Sequence, residues 1–115
     1  MLINRKQAED LRIAMSKFLR TYFPQFLYKG HGDHVGWWET DIESLLELSK
    51  PQGEAQRAAF RLIVHYPTNY GIPIHIEMFA EACYEWETMF EGYIPSIEAL
   101  FDIFCFQLGI SKCKQ

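Results

Sequence analysis

Ile72-Pro73-Ile74-His75-Ile76-Glu77-Met78-Phe79-Ala80-Glu81-Ala82-Cys83-Tyr84-Glu85 is the stretch on which the fold turns. Its first five residues alternate apolar side chains with others, the two-residue period of a strand. No neighbouring run stands out as a partner strand. From Glu77 onward, three carboxylates recur at every fourth position, Glu77, Glu81 and Glu85. In a helix that spacing sets them on one line. The expectation is therefore an extended entry into a helix, helix four, that ends near Gly92 as its C′ residue.

Upstream, Arg57, Arg61 and His65 recur at the same spacing on a predicted helix three, roughly residues 54–66. Like charges at i,i+4 repel by about 0.2–0.5 kcal/mol per pair, so neither stripe helps its own helix. Each needs an opposite partner. The connection Pro67-Thr68-Asn69-Tyr70-Gly71 is short and dense in turn residues, so the two helices are expected to run antiparallel. That would set His65 near Glu77, Arg61 near Glu81 and Arg57 near Glu85. Either the stripes satisfy each other, or the acidic one faces outward to a basic partner. Glu87 and Glu91, with Glu39, Asp41, Glu43 and Glu47 on a predicted helix two, enlarge the acidic surface.

The remaining segments also read as helical. Asn4 can cap helix one, which runs to about Phe23 with Leu11, Ala14, Met15, Phe18, Leu19 and Tyr22 as its apolar stripe. Pro24 then ends it. Residues 28–38 read as a loop hinged on Gly30, Gly32 and Gly36. Thr40-Asp41-Ile42-Glu43 has the form of a capping box, opening helix two to about Ser49 with Ile42, Leu45 and Leu46 inward. Pro95 and Ser96 open helix five, which Gly109 closes. That helix is apolar on nearly all sides, so it lies either at the centre of the core or against another subunit. The fold class expected is all-α, a compact single-domain bundle of about five helices over residues 1–115.

Composition narrows the function classes. Apolar residues make up 49% and charged residues 23%, ordinary globular values. The chain carries a formal charge of −4, so a direct nucleic-acid partner, which calls for a basic surface, is not expected. A basic protein partner is. Nine Phe, six Tyr and three Trp provide core, and the Tyr and Trp also provide interface anchors. The three cysteines lack metal-type spacing and suit a reduced, cytoplasmic setting. No signal-peptide pattern opens the sequence, and no apolar run reaches the roughly 20 residues of a membrane span.

Residues that could carry chemistry are few. Gly30-His31-Gly32-Asp33-His34-Val35-Gly36 is rich in metal ligands, so His31, Asp33 and His34 form the alternative metal site, of a binding protein or a metal-dependent enzyme. Adjacent loop ligands need a converging fourth group, His65 or His75. Cys83 with either histidine could form a thiolate pair, but its acidic helical neighbours would raise its pKa. No phosphate loop or nucleophile elbow is present. The leading expectation is a non-enzymatic, cofactor-free protein-binding module. Its specific form is an inhibitor, such as an immunity protein neutralising a basic toxin or nuclease. Its partner-binding residues would be Trp37, Glu39, Glu43, Glu47, Tyr70, Glu77, Glu81, Tyr84 and Glu85. A homodimer or adaptor assembled through helix five is the third expectation.

Overall fold

Residues 4–40, 46–49, 55–80 and 85–110 are described by the structure, a computed structural model. The chain opens with helix α1 (Arg5–Tyr22). Six strands follow: β1 (Leu27–Gly30), β2 (Gly36–Glu39), β3 (Leu46–Ser49), β4 (Ala55–Val64), β5 (Ile72–Ala80) and β6 (Trp86–Ile94). A short α2 (Ala99–Asp102) continues as a π-helical turn over Ile103–Gln107. The all-α bundle is thus corrected to a mixed fold, two helices against one antiparallel sheet. The stretches expected as helices three and four are strands β4, β5 and β6, and the end of expected helix two is β3.

The reason is a degeneracy of spacing. A separation of four residues lies close to one helical turn, but it is also even, and even separations share one face of a strand. The charge stripes therefore fit either structure. What distinguishes them is the alternation of Phe60, Leu62 and Val64 with Arg61 and Ile63, which only a strand can sort into inside and outside. The partner strands that seemed to be lacking lie on both sides of β5. Leu62 sits opposite Ile76, and Ile76 opposite Phe90.

Helix α1 forms where expected. The Asn4 side chain accepts from the Gln7 N–H at 2.8 Å, and the Gln7 side chain accepts from the Asn4 N–H at 2.9 Å, a reciprocal cap. Ala8, Met15 and Leu19 are its buried line. The Phe23 N–H closes on the Leu19 carbonyl at 2.6 Å before Pro24 stops the helix. Gly109, at φ +70°, follows the C-terminal helical segment as expected.

The strands are ordered β1-β2-β4-β5-β6, all antiparallel, and β3 pairs with β4 further along. β2 lies against Arg61–Val64 and β3 against Ala55–Ala58, on successive lengths of β4. Thr40 ends the first length. Its N–H donates to the Phe60 carbonyl at 2.9 Å, and its hydroxyl accepts from the Phe60 N–H at 2.8 Å. The hydroxyl so bonds a strand residue, not the helix start that a capping box implies. Thr40 is 4% exposed, so Thr40→Val leaves a buried N–H without an acceptor. It should lower the unfolding free energy by about 1–3 kcal/mol in urea titration, and Thr40→Ser should recover most of it.

Between β4 and β5 the chain turns at Thr68–Gly71. Gly71 has φ +122°, and a Cβ there would lie 2.7 Å from the Ile94 carbonyl oxygen, so glycine is required. One core forms between α1, the C-terminal helical segment and one face of the sheet, through Met15, Leu19, Phe23, Trp38, Phe60, Leu62, Ile76 and Phe104. Among the described residues, no helix is long and apolar enough to cross a membrane.

Candidate functional site

Because both helices pack on one side, the other face of the sheet holds the side chains that alternate away from the core: Trp37 and Glu39 of β2, Ala59, Arg61 and Ile63 of β4, His75, Glu77 and Phe79 of β5, Trp86, Thr88, Glu91 and Tyr93 of β6. Among the described residues no helix or strand packs over this face.

Arg61 stands at its centre. Register puts it opposite Glu39 on one side and Glu77 on the other. Its Nε donates to Glu39 at 2.6 Å and its Nη1 to Glu77 at 3.0 Å. The guanidinium also lies 4.1 Å from the Trp86 ring centre, a cation–π contact. Burial pulls the Arg61 pKa down, but the bonds and charges of the two carboxylates outweigh it and the pKa is raised. All three charged side chains remain about a fifth to a quarter exposed, so solvent still reaches them.

Trp37 is seated by a close approach. Its ring lies over Gly30 of β1, where a Cβ would come within 3.0 Å of it. Trp37, Glu39, Arg61, Ile63 and His34 line a shallow cleft of about 340 Å³. His34 and His65 meet edge to face, 4.6 Å between ring centres. His75 Nε2 lies 3.1 Å from the Thr88 hydroxyl and 3.9 Å from Glu77. At the β6 margin Glu91 and Tyr93 are exposed, and Tyr70, in the 68–71 turn, packs on Tyr93 at 5.9 Å.

Burial, then the neighbouring His34 and His75 imidazoles, hold the His65 pKa below its ordinary value, and Glu91 opposes them. The sign follows. Above about pH 6.5 the histidine is neutral whether folded or not. As pH falls below that, the unfolded chain takes up the proton first, so unfolding is favoured. Stability should therefore begin to drop as pH falls through about 6.5, and His65→Asn should flatten that part of the profile. Urea midpoints across this range are the measurement; coincident slopes in the two proteins would exonerate His65.

Of the partner-binding residues expected from sequence, Trp37, Glu39 and Glu77 come together on this face. Glu85 is exposed in the bend before β6, and Tyr70 is exposed at the edge of the sheet. Glu47 lies on β3 opposite Arg57 in the backbone register. Glu43, Glu81, Tyr84, Cys83 and the core position Leu45 lie outside the described residues. The stripe pairing is corrected at Glu77: expected beside His65, it meets Arg61 instead, with Glu39 on the other side, because strands pair directly across and not around a helical turn. Sequence reasoning missed Trp86 as a neighbour of Arg61, and His75, Thr88, Glu91 and Tyr93 as residues of the same sheet face; the alternation of 72–76 and of 86–94 was the signal for them.

The alternative metal residues sit in the β1–β2 connection. His31 Nδ1 lies 3.1 Å from the Tyr28 hydroxyl, and His34 turns to His65. Among the described residues, no group of three or more His, Cys, Asp or Glu is placed to hold a metal ion. Of the two readings of expected helix five, the structure fits the core one: Leu100, Ile103 and Phe104 are buried in the protein's own core, while Phe106 is 77% exposed. Comparison with protein-family models, with curated proteins and with solved structures finds no match.

Proposed function

We propose that this protein is a binding module that docks a basic protein on the helix-free face of its sheet. The observation that carries the reading is the Glu39–Arg61–Glu77 network, set between Trp37 and Trp86 and open to solvent. Glu39, Glu77 and Glu91 oppose a single guanidinium there, so the face is net acidic while the histidines are neutral. Strands hold these groups rigidly, which lowers the ordering cost of binding. Two Trp and an Arg are the residue types that dominate binding energy at interfaces. The carboxylates supply complementarity and faster encounter with a cationic surface. In its specific form the partner is a basic toxin or nuclease, and the carboxylates occupy the place that substrate phosphates would take on it, making this chain an inhibitor.

The test begins with capture from the native host and identification by mass spectrometry. Association is then timed against ionic strength for the wild type, Glu91→Lys and a control on the opposite side of the chain, Glu98→Lys. A strongly basic partner is expected, with an association rate that falls as salt rises. Glu91→Lys should slow association about tenfold or more and flatten the salt dependence, while Glu98→Lys should not. A partner whose binding ignores Glu91→Lys would remove this face from the account.

A further inference from the structure

A second cleft, of about 650 Å³, lies on the helix side of the sheet, between the first turns of α1, the β1–β2 turn and Tyr66. It shares no residue with the face described above. The chain as a whole is acidic, yet this cleft is lined by Arg5, Arg12 and His31 against one carboxylate, Glu9. Helix α1 shows that the imbalance is not mere spacing. Lys6 and Asp10, four residues apart, close to 3.7 Å, whereas Arg5 and Glu9, equally spaced, form no ion pair with each other or with another described residue.

Two of these donor groups, Arg12 and His31, are held in place. Arg12 donates through Nε to the Val35 carbonyl at 2.7 Å, which fixes the guanidinium plane and leaves its terminal nitrogens as donors. His31 takes the Tyr28 hydroxyl at Nδ1; with the phenol donating, the ring hydrogen sits on Nε2. Two guanidiniums and an imidazole N–H offer more donors than the two oxygens of a carboxylate can use. They suit the three terminal oxygens and nearly double charge of a phosphate monoester. Tyr66 also lines the cleft, and its aromatic side chain is of the kind on which a flat ring can stack. The volume lies within the range of small-ligand sites, about 300–1,000 Å³.

We propose that this cleft binds a small phosphate monoester carrying a flat ring, a ligand of mononucleotide size. Arg5 and Arg12 hold the phosphate, His31 adds a donor and Tyr66 stacks on the ring. The site is independent of the protein-binding face and stands or falls separately.

Nitrogen-15 chemical-shift titrations of the full chain test it, with adenosine 5′-monophosphate as the probe and adenosine as the uncharged control. The monophosphate is expected to shift the amides of residues 5–12, Gly32 and Tyr66, and adenosine to leave them unmoved. Arg5→Ala, which removes no recorded structural contact, should weaken binding by about tenfold, as should Arg12→Ala, whose spectrum also reports whether α1 stays docked. Three outcomes would overturn the proposal: no shifts at about 10 mM monophosphate, beyond the weak end of specific affinity; shifts centred elsewhere; or equal responses to adenosine and its monophosphate.

Discussion

Phe104→Ala is expected to lower the free energy of unfolding by about 3–5 kcal/mol. Phe104 is fully buried, meets Phe23 edge to face at 4.8 Å and stacks on Phe26 at 5.3 Å. With Phe101, it carries the contact between the C-terminal helical segment and the end of α1. Truncation forfeits both contacts and leaves a cavity that the three-layered aromatic cluster cannot refill without moving a helix. Marginal stability makes this a large fraction of the total, which is typically about 5–15 kcal/mol. Urea unfolding followed by far-ultraviolet circular dichroism is the measurement. A loss below about 1 kcal/mol would place the side chain at the surface.

Trp38→Ala should cost a similar amount, about 3–5 kcal/mol. The indole is 1% exposed, packs beside Tyr28 at 5.6 Å and donates from Nε1 to the Ser16 hydroxyl at 3.0 Å. It therefore fastens β2 to α1 both by volume and by a polar contact. Trp38→Phe keeps most of the ring and removes the donor, and should fall between the wild type and Trp38→Ala. The adjacent Trp37→Ala should cost clearly less, since that ring is half-buried on the other face. Equal losses at 37 and 38 would contradict the alternation that assigns them to opposite sides of the sheet.

That alternation shows how far the fold could be read from the residues. Helix α1 was legible because Asn4 and Pro24 punctuate a stripe that only a helix can gather; its Gln7 half of the cap was not. The pair Trp37–Trp38 was legible as two aromatic anchors but not as a strand, since three glycines nearby suggest a loop. Gly30 is in fact there to make room for the Trp37 ring. The sheet was missed because the charges of 57–65 and 77–85 obey a spacing common to both structures. Arg61 and Glu77 were identified as opposite members of facing stripes, which is correct in kind. Their true meeting depends on a cross-strand register set by a turn at Gly71, and a four-residue count carries no register. Glu39 joins them only because β2 returns to the opposite edge of β4, a pairing between distant segments that no local pattern encodes. The site was thus partly visible as chemistry and invisible as geometry.

The aromatic seam between α1 and the C-terminal helical segment has a consequence during synthesis. Every neighbouring pair in the sheet except β2–β4 joins successive strands, so those pairs can form soon after they leave the ribosome. The rings of Tyr22, Phe23 and Phe26, by contrast, emerge early and gain Phe101 and Phe104 only after the whole sheet has been made. A nascent chain stalled after β6 would hold a paired sheet with an oily, half-covered flank. That flank stays uncovered and open to association until Phe101 and Phe104 arrive to close it.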